Sequence, residues 1–126
     1  MNNTAKIDGI VELTYRENNI LYFRMAEKST IDIDAAKKIL ELASNLSNNL
    51  DHCNLVDIRK MTFMSGDARK YFGQQNKSSV KAVAILANPK LHKPLINLYL
   101  KFSRPTLPTR QFDTEEEALI WLNTFN

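Results

Sequence analysis

Two histidines, one cysteine and a set of arginines and lysines are the side chains of this 126-residue chain best suited to catalysis or ion binding. His52 and Cys53 are adjacent, which invites a reading as base and nucleophile. Neighbours on a strand point to opposite faces, so the pair is badly placed for proton transfer. Cys53 also opens an apolar stretch, where a cysteine behaves as a small hydrophobe. His92 stands among lysines, which repel a cation, and reads as a surface histidine in a loop or first helical turn. No spacing of His, Cys and Asp supplies the three or four ligands of a metal site. There is no Walker loop and no GxGxxG segment. Neither an enzyme nor a cofactor is expected.

The basic residues carry more. Two loops, 59–64 and 87–93, follow short apolar strands, and in parallel sheets ligands bind outside the carboxyl ends of strands. Each loop feeds a helix N-terminus with its partial positive charge. Arg59, Lys60, Ser65, Arg69, Lys90 and Lys93 are therefore the candidate anion-binding or ligand-binding residues. The competing reading pairs Arg59 with Asp57 or Asp67 and leaves the lysines solvated. From Ala68 to Phe112 there are nine Lys or Arg and no Asp or Glu. The rest of the chain holds eight bases and fourteen acids, a balance of −6 within a net charge of +3. One half of the fold should present a positive field, which attracts anions or acidic partners.

Periodicity supplies the elements. Ile10 to Tyr15 and Ile20 to Met25 flank an Asn-Asn turn and predict a β-hairpin, with residues 1–9 frayed. Ile33, Ala36, Leu40 and Ala43 mark an amphipathic helix, capped by Asp32 and ended at Asn48-Asn49. Cys53 to Ile58 is a short strand, and Ser65 caps a second helix with Ala68, Tyr71, Phe72 and Gln75 on one face. Val80 to Leu86 is nearly all apolar, as expected of a strand covered on both sides. A third helix reaches about Phe102 and either starts at Pro94 or runs from Pro89 with a kink there. Pro108 opens a last strand to Phe112. Thr114-Glu115-Glu116-Glu117 is a capping box leading into Ala118, Leu119, Trp121, Leu122 and Phe125.

The order is ββαβαβαβα: a single α/β domain over residues 1–126, with a mixed, mostly parallel sheet flanked by helices and an antiparallel N-terminal edge. On the third helix, Leu91, Leu95, Leu98 and Phe102 form the expected core face. Ile96, Tyr99 and Leu100 fall off it and are the candidate interface or apolar-cleft residues, with Asn97, Lys101 and Arg104 as a polar stripe beside them. Met61, Phe63 and Met64 either extend that patch or act as a lid on the core. A wide apolar arc beside a basic stripe fits a dimer interface, an apolar cleft or a peripheral membrane contact.

From Leu55 onward the chain resembles the SpoIIAA-like proteins, small bacterial relatives of the STAS domain that are grouped with CRAL-TRIO folds. The matching pieces are Leu55-Val56-Asp57-Ile58 before a Ser-capped helix, the strand Ala82 to Leu86, and Arg104-Pro105. Most specific is Pro108 to Phe112 leading into Thr114 to Leu122. The resemblance implies a non-enzymatic, commonly dimeric domain that binds proteins or small ligands. Anti-sigma-factor antagonists of similar fold carry a phosphorylated serine in an Asp-Ser-Ser-Gly turn. Here the turn reads Ser65-Gly66-Asp67-Ala68, and the acceptor position falls on Gly66, which argues against partner switching by phosphorylation.

The expectations are thus a cytoplasmic, non-enzymatic interaction or regulatory module acting as a homodimer. The alternative is a binding protein or sensor for an amphipathic anion such as a fatty acid or phospholipid. Its head group would sit near Arg59 and Lys90, and its tail near Ile96, Tyr99 and Leu100. No secretory leader and no membrane span of about 18–20 apolar residues is evident. No aromatic residues are spaced along a basic strand to stack bases, so nucleic acid is not an expected partner.

Overall fold

The computed structural model describes residues 3–74, 79–98 and 107–126. Its main sheet has six strands in the order β1-β2-β3-β5-β7-β8. β1 (Thr4–Ile7), β2 (Val11–Arg16) and β3 (Ile20–Met25) form an antiparallel meander. β5 (His52–Asp57), β7 (Val80–Leu86) and β8 (Thr109–Phe112) then add in parallel to β3. The α/β order expected from periodicity is present, with three further strands.

The first of these is β1, where a frayed end was expected. Ala5 and Ile7 lie beside Leu13 and Val11, and the turn between closes with the Ile10 amide on the Ile7 carbonyl at 2.9 Å. Gly9 takes φ +74° there, a conformation that L side chains rarely adopt. The other two strands, β4 (Thr30–Ile31) and β6 (Phe63–Met64), pair in parallel as a separate small sheet. They tie loop 59–64 to the segment that leaves β3, helped by the Thr62 amide on the Ser29 carbonyl at 2.8 Å.

Helix ends follow the capping chemistry. In α1 (Ile33–Ser47) the Asp32 carboxylate accepts the Ala35 amide hydrogen at 2.8 Å, and Asn48 closes the helix at φ 52°. In α2 (Gly66–Gln74) the Ser65 hydroxyl accepts from Ala68 at 3.1 Å. α4 (Glu115–Asn123) starts at Thr114, whose hydroxyl accepts the Glu117 amide hydrogen and donates to the Glu117 carboxylate. α3 (Pro89–Leu98) runs from Pro89 and contains Pro94. Asn88 caps it, its side-chain oxygen accepting from Lys90 at 3.0 Å, and Pro89 occupies the first turn, where the missing N–H costs nothing.

The sheet separates two apolar layers. One holds Val11, Leu13, Leu21, Phe23 and Ile85 with Ile39 and Ala43 of α1, Ala68 of α2 and Ile96 of α3. The other holds Ile20, Tyr22, Cys53, Leu55, Ala84, Leu86 and Phe112 beneath Ala118 and Leu122 of α4. Strands β3 and β7 contribute to both layers, which is why their sequences, Ile20 to Met25 and Val80 to Leu86, are almost continuously apolar.

Candidate functional site

The reactive side chains are built into the fold. Cys53 is fully buried, its Sγ 3.8 Å from the Leu122 carbonyl, and burial pushes its thiol pKa up despite Lys81 nearby. A raised thiol is a poor nucleophile at neutral pH. His52 is buried in β5, where its Nδ1 donates to the Leu50 carbonyl at 2.7 Å and its ring meets Tyr15 edge-on.

His92 is the main correction among these residues. It lies in the first turn of α3 as expected, but it is 5% exposed rather than a surface group. Its Nδ1 accepts the Asn88 amide hydrogen at 3.0 Å, and its Nε2 lies 3.3 Å from the Met61 carbonyl. An amide donor on one nitrogen and a carbonyl acceptor on the other assign the neutral, Nε2-protonated ring. His92 therefore fastens loop 59–64 to the head of α3. This contact turns the helix: His92 and Ile96, four residues apart on one face, point inward, and Leu91 is 70% exposed. Leu91 therefore does not belong to the core face expected of it, and Ile96 does not stand at an interface, since it is 3% exposed within the core. Tyr99, Leu100, Lys101, Phe102 and Arg104 lie outside the described residues, as do Lys77 and Gln75. In loop 59–64, Met61 is buried as a lid on the core while Phe63 is 58% exposed.

The six basic-loop candidates do not converge. Arg59 and Lys60 line an open cleft of about 390 Å³ at the carboxyl ends of β3 and β5. Ser65, Arg69, Lys90 and Lys93 are not among its lining residues. Ser65 is spent as the cap of α2. Arg69 is half-buried on α2, its Nε enclosed without a hydrogen-bond partner among the described residues. Lys90 and Lys93 are exposed on α3. The cleft instead recruits Lys6, Glu12 and Arg24 from the meander and Glu27 from the turn that follows it. No reading of the loops alone would have found them.

Arg59 is neutralised in place. Its guanidinium donates to both Asp57 carboxylate oxygens at 2.9 and 2.8 Å, and its amide donates to the same side chain at 3.0 Å. Burial by itself would push the Asp57 carboxyl up, but the Arg59 hydrogen bonds and the charges of Arg59 and Arg24 outweigh it and hold the pKa below the usual carboxylate range. A carboxyl depressed on folding stabilises the fold above the unfolded value of about 3.9 and loses that contribution as pH falls through the folded value. Arg59 is half exposed, so solvent screening limits the pair to about 0.5–1 kcal/mol. Asp57→Asn should thus flatten the fall of the urea midpoint between about pH 5 and 3 relative to the unsubstituted protein. Parallel curves in that window would show that Asp57 does not set the acid response.

Beyond the pair, Arg24 reaches Glu115 at the head of α4 at 3.7 Å. The cleft wall is therefore of mixed sign: Lys6, Arg24, Arg59 and Lys60 against Glu12, Glu27 and Asp57. Such a wall suits a surface that carries both charges better than a simple anion. Among the described residues no group of three His, Cys, Asp or Glu side chains could hold a metal ion, and no helix is long and apolar enough to cross a membrane.

A six-stranded mixed sheet with α1, α2 and α3 on one face and α4 on the other is a SpoIIAA-like arrangement. The solved structure of a DUF3478-family protein with a SpoIIAA-like fold from Shewanella loihica PV-4 superposes with a TM-score of 0.65 over 94% of this chain and 97% of that one, at 16% identity. The chain belongs to the family described as a domain of unknown function, DUF7793, whose model matches residues 14–126. A protein with unknown function from Arthrobacter sp. FB24 is 24% identical over 87% of this chain and 96% of its own, with a TM-score of 0.35, too low to bear on the fold. No curated protein matches the sequence.

Proposed function

We propose that this SpoIIAA-like domain is a non-catalytic interaction module that works as a homodimer. The observation that supports this reading is the use of its reactive side chains: Cys53, His52 and His92 are buried and bonded to backbone, and Arg59 is held by Asp57. Each serves the scaffold, and what the molecule offers to solvent is a surface with charges of both signs beside an open cleft.

The alternative, a carrier of an amphipathic anion, would place a head group near Arg59 and Lys90 and a tail near Ile96, Tyr99 and Leu100, the last two of which lie outside the described residues. Arg59 already has its counter-ion and Ile96 is enclosed by the core, so the mixed-sign surface favours a protein partner.

Native mass spectrometry of protein purified gently from its expression host, in dilute volatile buffer, separates the two readings. A dimer mass without adduct is the expected result. A monomer carrying an adduct of a few hundred daltons, released on denaturation, would replace the module with a ligand-binding protein.

A further inference from the structure

Two large apolar side chains stand in solvent at the carboxyl end of the parallel strands: Phe63, 58% exposed, and Leu91, 70% exposed. Loop 59–64 and the head of α3 leave the same end of two neighbouring strands, β5 and β7. Where they depart, the Ile58 amide donates to the Leu86 carbonyl at 2.9 Å, and further out His92 joins the Met61 carbonyl. Phe63 lies two residues beyond that tie and Leu91 one residue before it. Lys60, Lys90 and Lys93 are exposed on the same two segments, and exposed Lys28 joins them through its amide, which donates to the Lys60 carbonyl at 2.8 Å. Among the described residues none of these four lysines forms an ion pair. The heads of α1, α2 and α4 carry acids in their first turns, whereas the first turn of α3 carries none. Between Asp67 and Asp113 the chain has no acid at all. The positive, apolar part of this end is therefore its α3 side.

We propose that this edge docks the domain on an anionic lipid surface, with Phe63 and Leu91 entering the boundary between head groups and acyl chains while Lys60, Lys90 and Lys93 lie among the phosphates. The proposal goes beyond the interaction-module reading and does not depend on the oligomeric state. Charge and shape together select the occupant. Unpaired lysines gain affinity near an anionic bilayer, which presents the opposite charge over a whole plane. The open cleft takes Lys60 alone from this set, so Phe63 and Leu91 stand out from the surface and line no part of that groove. A protein partner is instead held by anchors in packed pockets, and lysine is depleted from such interfaces while arginine is enriched. A bilayer needs no pocket, and accepts apolar side chains to a depth of about 5–10 Å. A second copy of the chain is opposed by charge, since a two-fold contact on this edge would set lysines against lysines.

The two apolar side chains add little to the core. His92 and Ile96 fill the inner face of α3, and Met61 closes loop 59–64 beneath Phe63. In the free chain their exposure carries a hydration cost that contact with acyl chains removes. Both segments are already held, one by the pairing of β4 with β6 and the other by His92, so the surface is formed before any lipid arrives. The contact has two separable parts. The lysines respond to salt, because the Debye length shrinks from about 10 Å at 0.1 M to about 3 Å at 1 M, whereas the burial of Phe63 and Leu91 does not.

Co-sedimentation of the full chain with vesicles of equal parts phosphatidylserine and phosphatidylcholine, in low salt, tests the surface. Binding should be at least about tenfold weaker on phosphatidylcholine alone, where the lysines lose their counter-charge. Lys90→Ala and Lys93→Ala should each weaken binding to the anionic vesicles about fivefold. Leu91→Ser and Phe63→Ser should each weaken it about tenfold. Lys81→Ala removes the same charge from the opposite end of β7 and should change binding by less than about twofold. If Phe63→Ser loosens β6, Leu91→Ser on the exposed face of α3 carries the apolar half of the test. Equal losses for Lys81→Ala and Lys90→Ala would reduce the contact to net charge and overturn the surface, as would binding that ignores Leu91→Ser. A chain that stays in solution with both vesicles overturns the proposal, and binding to polyglutamate through Lys90 and Lys93 would then assign the edge to an acidic protein. None of these outcomes alters the dimer mass on which the module reading stands or falls.

Discussion

Ile96→Asp is expected to abolish cooperative folding. Ile96 packs on the sheet layer shared with Leu21, Phe23 and Ile85 and is 3% exposed, so the aspartate would replace a core side chain with a carboxylate far from water. Loss of the apolar side chain alone costs about 2–5 kcal/mol. Burying an unpaired charge adds several kcal/mol more, even after the group takes up a proton. A domain of this size is stable by about 5–15 kcal/mol, so little remains. Far-ultraviolet circular dichroism with urea titration should show no native baseline. A variant that unfolds near the midpoint of the unsubstituted protein would mean that Ile96 stands at the surface, as its position on the helix wheel first suggested.

His92→Ala should cost about 2–4 kcal/mol. Two hydrogen bonds to buried backbone are lost, and the Asn88 amide and the Met61 carbonyl are left without their partners. The damage should also be local. Loop 59–64 loses its tie to α3 while the tie through β4 and β6 remains, so hydrogen exchange should accelerate at the Asn88 amide much more than at Cys53 or Leu55. A uniform rise in exchange across the sheet would show that the ring serves only as core volume. His92→Gln, which can place one donor and one acceptor, should recover part of the loss.

How far the sequence could be read depended on how local the deciding interaction was. The Asp32, Ser65 and Thr114 caps, the left-handed Asn48 and the doubly covered β7 all follow from neighbours within a few residues, and they were readable. So was the Asp57–Arg59 pair, two positions apart. β1 was readable but missed: Asp8-Gly9 between alternating residues is a strong hairpin signal, and the polar start of the chain obscured it. β4 and β6 have two residues each, and nothing in Thr30-Ile31 announces that Phe63-Met64 will lie beside it. On α3 the wheel ranked residues by hydrophobicity, and a buried histidine serving two backbone groups outweighed the exposed Leu91. The cleft was hidden for the same reason. Its wall joins residues 6, 12, 24 and 57, which only the pairing register brings together.

The sheet is half local and half remote, and this bears on how the chain is made. The meander β1–β2–β3 closes through two short turns, and such hairpins form in about 1–10 μs once their residues are available. The other edge of β3, Ile20-Leu21-Tyr22-Phe23-Arg24-Met25, waits for β5, which ends about 32 residues later. At a synthesis rate of about 5–20 residues per second, the nascent chain displays that apolar, β-prone edge for about 2–6 s before its neighbour follows it out of the ribosome. During each round of translation it is the segment most exposed to mispairing with another chain, and so the segment where a ribosome-associated chaperone would have the most to protect.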